Sequence, residues 1–150
     1  MDKKRIYVVN GPNLNRLGQR DAAIYGSETL GVIENRLIGK FGDAVELVVS
    51  QHNGEGDIID RLQLAADDAA DTLGVVINPG AYAHYSYAIA DAISDLAYAG
   101  VKCIEVHISN IAAREQYRRQ SVTAVACHAM ISGFGTAGYD MAVNYLLCHE

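Results

Sequence analysis

The sequence predicts a three-layer α/β protein built on a five-stranded parallel sheet, and two observations predict it. Short apolar runs at Ile6 to Val9, Val45 to Val49, Val75 to Ile77, Cys103 to Val106 and Val122 to Ala126 alternate with helical patterns. Continuous apolar runs of this length read as strands buried on both faces. The chain has 150 residues, half of them apolar, which is enough to bury one core and too short for two ordinary domains. Residues 1–150 therefore read as one domain, and strands each followed by a helix imply right-handed crossovers in a flavodoxin-like order.

The first helix to follow a strand is predicted to start at Ser27 as N-cap, to place Leu30, Ile33, Leu37, Ile38 and Phe41 on one stripe, and to stop near Gly42. A second carries Ile58, Ile59, Leu62, Ala65, Ala66 and Ala69, and a third carries Ile89, Ala90, Ile93 and Leu96. A short polar helix is expected over Ala112 to Arg119, and a last one from about Ala137 to Leu147. In such sheets ligands bind beyond the carboxyl ends of the strands, so the segments that begin at Asn10, Gln51, Asn78, His107 and Gly133 are the ones to inspect.

Composition narrows the function classes. A net charge of −6 disfavours nucleic acid, because neutralising phosphates needs a basic surface. No apolar run approaches the roughly 20 residues that span a bilayer, and Met1-Asp2-Lys3-Lys4-Arg5 leads directly into the first strand, so a cytoplasmic protein without a membrane is expected. Cys103, Cys127 and Cys148 are odd in number, and the first two lie in strand-like runs, which fits free thiols in a reducing compartment. His52, His84, His107, His128 and His149 are too dispersed for a metal-ligand spacing, so no metal is expected. No lysine falls where a site should lie, which argues against Schiff-base chemistry.

Asn10 to Gly26 runs for 17 residues without helical or strand periodicity, and loops this long in small domains are often lids. Within it Arg20 and Tyr25 are spaced so that a guanidinium can approach a phenol. Tyrosine has an ordinary pKa of about 10, leaving roughly one molecule in a thousand as phenolate at neutral pH. A cation at about 4 Å offers at most about 4 kcal/mol before desolvation, so one or two arginines suffice to make a base. The segment alone equally allows Tyr25 to pack the loop and Arg20 to be solvated.

The fourth strand ends Glu105-Val106-His107-Ile108-Ser109-Asn110, and alternation puts Glu105 and His107 on one face. The carboxylate then fixes the tautomer of the histidine, an arrangement suited to a general acid. Asn78-Pro79-Gly80-Ala81, with His84 and Asp91, offers groups for the hydroxyls of a polyol, although an ordinary turn and a solvated helix face explain the same residues. Arg114-Glu115-Gln116-Tyr117-Arg118-Arg119 concentrates three arginines in an acidic chain. Arg114 and Arg118 are assigned to a carboxylate-bearing substrate, and Arg119 to an exposed turn. Gly133-Phe134-Gly135-Thr136-Ala137-Gly138 matches a dinucleotide fingerprint, but only 12 residues follow it and no second strand can form. No cofactor is expected.

Taken together, Asn10 to Gly18, Arg20 with Tyr25-Gly26, Gln51 with Asn53 and Glu55-Gly56, Asn78 to Ala81, Glu105 to Asn110, Arg114-Glu115, Arg118 and Gly138-Tyr139 resemble the type II 3-dehydroquinate dehydratase family. The resemblance spans nearly the whole chain in the order and spacing of that family. It implies a single catalytic domain that dehydrates 3-dehydroquinate to 3-dehydroshikimate through an enolate. Tyr25 is then the base, held as phenolate by Arg20 and Arg114, and Asn13 positions a water at the enolate oxygen. His107 is the acid, oriented by Glu105. Asn78, His84, Ile108, Ser109 and Arg118 bind substrate, and Asp91 does so across a subunit boundary. The resemblance also implies a homo-oligomer, a dodecamer built from trimers, and a place in aromatic biosynthesis or quinate breakdown.

Several positions depart from the pattern: Asp21-Ala22 for Glu-Pro, Arg16 for an apolar residue, His52 for Ser, Ala83 and Tyr85 flanking His84, and His128 for a small residue. None removes a proton-transfer residue. Two competing readings are a noncatalytic small-molecule sensor on the same scaffold, and a nucleotide or flavin binder. Retention of Tyr25, Arg20 and His107 favours the enzyme, because a sensor needs only the hydroxyl and carboxylate contacts.

Overall fold

A computed structural model describes residues 2–150. Its strands are β1 (Arg5–Asn10), β2 (Glu46–Gln51), β3 (Thr72–Asn78), β4 (Cys103–His107) and β5 (Ala129–Ser132). All pair in parallel, in the order β2-β1-β3-β4-β5. The helices are α1 (Ala22–Tyr25), α2 (Leu30–Phe41), α3 (Glu55–Asp67), α4 (Tyr87–Tyr98) and α5 (Ala137–Cys148). None among the described residues is long and apolar enough to cross a membrane.

Alternation along the strands explains the uninterrupted apolar runs. Ile6, Val8, Val76, Ile104 and Val106 face one way and pack with Ile33, Leu37, Val143 and Leu146 of α2 and α5. Tyr7, Val9, Val75 and Ile77 face the other and pack with Ile58, Leu62, Ile89, Ile93 and Leu96 of α3 and α4. Each fully buried aliphatic side chain contributes about 1.5–3 kcal/mol relative to exposure, so both faces of the sheet must be covered. On the first face Arg36 of α2 also reaches Asp140 of α5 at 2.8 Å and Glu28 at 2.6 Å, tying the end of the first loop to the last helix.

Four local expectations are corrected. The fifth strand is Ala129–Ser132, not Val122–Ala126. The Val-Thr-Ala-Val-Ala run has a strand's composition, but it forms a tight turn in which Val125 is exposed and Thr123 fully buried. The true strand lies at the sheet edge with Met130 exposed, so it lacks a two-sided apolar signature. The N-cap of α2 is Thr29, whose Oγ1 accepts from the Val32 N–H at 3.2 Å, rather than Ser27. The first loop is not irregular throughout, since it holds a 3-10 turn at Leu14–Arg16, anchored by buried Leu14 and Leu17, and the one-turn helix α1 capped by Asp21. The polar segment Ala112 to Arg119 is two separate 3-10 turns, Ile111–Ala113 and Gln116–Arg118, broken where Arg114 turns extended.

The cysteines are free thiols; Cys103 is buried on β4, Cys127 sits in the turn before β5, and Cys148 is exposed. The fingerprint-like glycines have structural reasons. Gly133 and Gly135 take positive φ in the turn after β5, and a Cβ on Gly138 would stand 3.0 Å from Val106 Cγ1, so glycine lets α5 lie close on the sheet.

The central strands end in a buried polar bridge. The Tyr139 hydroxyl donates to Asn10 Oδ1 at 2.6 Å and accepts from Asn78 Nδ2 at 2.9 Å, and Asn78 Oδ1 accepts the Gly80 N–H at 3.1 Å. Burial pushes the Tyr139 phenol well above the ordinary tyrosine range, so it stays protonated and able to donate. Tyr139→Phe leaves two buried amide atoms without their partner and is expected to lower stability by about 1–3 kcal/mol. Urea unfolding followed by circular dichroism measures this; a loss within about 0.5 kcal/mol would show that the bridge is dispensable.

Candidate functional site

The carboxyl ends of β1, β3 and β4 flank a cleft that is partly open to solvent. Ligand sites in open parallel sheets lie at this edge, where the strand order reverses beside β1. Asn13, Arg20 and Tyr25 line it from the first loop, Asn78 and His84 from the segment after β3, and His107, Ile108, Ser109, Arg114 and Arg118 from β4 and beyond. Two expected residues stand elsewhere. Glu105 lies behind His107 and is fully buried, and Asp91 is on the exposed side of α4, outside the cleft.

The first loop is closed down by a close approach of backbones. Gly11 N–H donates to the Asn78 carbonyl at 2.7 Å, and a Cβ at Gly11 would stand 2.6 Å from the Pro79 oxygen. Asn13 then takes a left-handed conformation, φ 69°, which asparagine tolerates better than most residues. Its N–H donates to Asn53 Oδ1 at 3.1 Å, an oxygen that also accepts from Gln51 Nε2 at 3.0 Å. The Asn53 carbonyl accepts from the Tyr82 hydroxyl at 2.9 Å. Asn53 and Gln51 are thus the supports of Asn13 from the end of β2.

Across the cleft, Arg20 Nη2 donates to the Tyr25 hydroxyl at 3.0 Å, and its guanidinium carbon lies 3.9 Å from the ring centroid. Arg114 stands 5.2 Å from the same centroid, so two cations address one phenol. Arg118 Nε is 2.9 Å from Glu115 Oε2, an ion pair whose angle falls short of a hydrogen bond. The Glu115 carboxyl is held below its usual range, first by a backbone hydrogen bond and then by Arg114 and Arg118. Three guanidinium groups in the wall of a net-acidic chain make an anion-accepting pocket.

In the same cleft His107 Nε2 meets Glu105 Oε2 at 2.7 Å. His84 Nδ1 donates to the Gln120 carbonyl at 2.8 Å, and the two imidazoles stack with centroids 6.4 Å apart. Sequence reasoning missed the residues behind these histidines, Gln120, Ser121 and Thr123, because an apolar run hid a polar turn. Gly80, Ala81 and Ile111 also line the cleft. Among the described residues no group of three His, Cys, Asp or Glu side chains converges as metal ligands would.

A doubly wound parallel α/β protein with a strand-end cleft lined by a cation-flanked tyrosine and a carboxylate-backed histidine belongs to the class of small-molecule enzymes. The family is specific: the chain belongs to dehydroquinase class II, whose model matches residues 4–147. It is 47% identical over 144 residues to the 3-dehydroquinate dehydratase of Lachnoclostridium phytofermentans, covering 95% of this chain and 96% of the relative's. It is 49% identical over 144 residues to that of Halalkalibacterium halodurans, covering 95% and 94%. The type II dehydroquinase structure from Propionibacterium acnes superposes with a TM-score of 0.90 at 44% identity, covering 97% of each chain.

Asn53→Ala removes the acceptor that holds the Asn13 N–H and frees Gln51. Loss of the two hydrogen bonds that Asn53 Oδ1 accepts, each worth about 0.5–1.5 kcal/mol net, is expected to lower kcat/KM for the cleft's substrate by roughly tenfold and the melting temperature by only a few degrees. Steady-state kinetics beside a melting curve check it; an unchanged kcat/KM would show that Asn13 keeps its conformation unaided.

Proposed function

We propose that this chain dehydrates 3-dehydroquinate to 3-dehydroshikimate by anti elimination through an enolate, with Tyr25 as base and His107 as acid. The observation that carries the reading is one cleft lined by both groups: Tyr25 under Arg20 at 3.0 Å, and His107 held by Glu105 at 2.7 Å.

Tyr25 as phenolate, favoured by Arg20 and Arg114, takes the proton alpha to the ketone, and the electron pair moves onto the carbonyl oxygen. Asn13 holds a water at that oxygen as its charge develops. The enolate then collapses, the carbon–oxygen bond to the departing hydroxyl breaks, and His107, entering the step protonated on both nitrogens with Nε2 held by Glu105, gives its Nδ1 proton to make that hydroxyl water. Arg118 takes the substrate carboxylate, and Asn78, His84, Ile108 and Ser109 take its remaining polar groups. Asp91, exposed on α4, serves the cleft of a neighbouring copy in a dodecamer built from trimers. The reaction stands either in aromatic biosynthesis or in quinate breakdown.

Purified protein mixed with 3-dehydroquinate is expected to raise the near-ultraviolet absorbance of the conjugated enone, and borohydride treatment with substrate should not abolish the rise. Tyr25→Phe is expected to reduce kcat by about 10²–10⁴-fold, the range for a general base. No rise from folded native protein would refute the reading, and a rise that survives Tyr25→Phe would refute the assignment of the base.

A further inference from the structure

We propose that Ser121 and Thr123 are positioning residues, which act through Glu105 to fix the tautomer and direction of the His107 ring. The inference rests on the proposed role of His107, but its structural core is independent of the substrate.

Glu105 is fully buried, and an unpaired carboxylate there would be costly. Three donors converge on it. Ser121 Oγ reaches Oε2 at 2.5 Å, Thr123 Oγ1 reaches Oε1, and His107 Nε2 reaches Oε2 at 2.7 Å. A hydroxyl carries one proton, and an ionised carboxylate only accepts. The arrangement is complete when both hydroxyl protons and the Nε2 proton point at Glu105. The two hydroxyl oxygens, 3.1 Å apart, are then neighbours with no proton between them, and the Ser121 oxygen instead accepts the Ala124 N–H at 3.0 Å.

With both hydroxyls donating, Glu105 can neither rotate nor pass its oxygens to another partner. Nε2 of His107 is committed as a donor, and Nδ1 is the nitrogen left to the cleft. The same short segment holds the second imidazole: the Gln120 carbonyl takes the His84 Nδ1 proton at 2.8 Å, and the Val122 N–H donates to the Ala83 carbonyl at 2.7 Å. One turn therefore sets the ring orientation of both cleft histidines.

Removing the hydroxyls frees the carboxylate while leaving every group that touches substrate. Ser121→Ala, Thr123→Val and the double variant are expected to lower kcat by about 10- to 100-fold, the effect of small misplacement of a reacting group, with KM nearly unchanged. Thr123→Ser, which returns the hydroxyl, is expected to recover most of what Thr123→Val loses. Nitrogen-15 spectra of histidine-labelled protein without substrate, with His107 assigned by its loss in His107→Gln, should show Nε2 protonated in every form of the native chain, with any second proton on Nδ1, and a mixture that includes Nε2-unprotonated ring in the double variant. Should the double variant not fold, as judged by circular dichroism, the single variants carry both readouts. Native kcat and unchanged His107 nitrogen signals in folded variants would overturn the proposal. If native protein leaves 3-dehydroquinate untouched, the proposed reaction fails, while the nitrogen spectra alone still decide for or against the clamp.

Discussion

The hydroxyl of Tyr139, buried between the side-chain amides of Asn10 and Asn78, is the interaction on which the rest of the site depends. It joins the carboxyl ends of the two central strands to the last helix, so the floor of the cleft is set by elements from the beginning, middle and end of the chain. In a parallel sheet the last residues of each strand have no further ladder partner on that side, and buried polar ends must find one elsewhere. Asn10 and Asn78 find it in one phenol, and Gly11 fits only because it has no side chain to meet Pro79. The first loop and the segment after β4 come together at this end of the sheet, where Arg114 stands 5.2 Å from the Tyr25 ring centroid.

The walls differ in how they treat charge. On one, Tyr25 is half-buried under Arg20 with Arg114 nearby, where solvent still reaches and the cations can polarise the phenol. On the other, Glu105 is sealed from water and depends wholly on hydrogen bonds for compensation. A half-exposed phenol and a sealed carboxylate therefore lie in differently solvated surroundings of one cleft, and each is compensated accordingly, the first by cations and the second by hydrogen bonds.

The strand order and the lining of the cleft were readable because each rests on local signals. Two-sided apolar runs marked β1, β3 and β4, and polar residues directly after them marked the site. Glu105 and His107 were readable as a pair because strand alternation alone puts them on one face. The fifth strand was misplaced because an edge strand needs only one covered face, whereas the turn before it is apolar in composition and polar in function. Thr29 replaced Ser27 as a cap because the one-turn helix α1 uses up part of the connection. Nothing near Ser121 or Thr123 in the sequence reveals that their hydroxyls meet a residue 16 or 18 positions earlier.

By itself the sequence determined the doubly wound class and the edge of the sheet where ligands bind, since periodicity and strand-end position are local properties, while Asn13 and Ile108 were expected at the cleft only through the family resemblance. Only the tertiary structure decided the contacts between distant segments. It hung Asn13 from Asn53, 40 positions on, sealed Glu105 with hydroxyls 16 and 18 positions on, brought Arg114 to the Tyr25 ring, and left Asp91 outside the cleft on exposed surface. Distances of that kind are settled by packing rather than by composition.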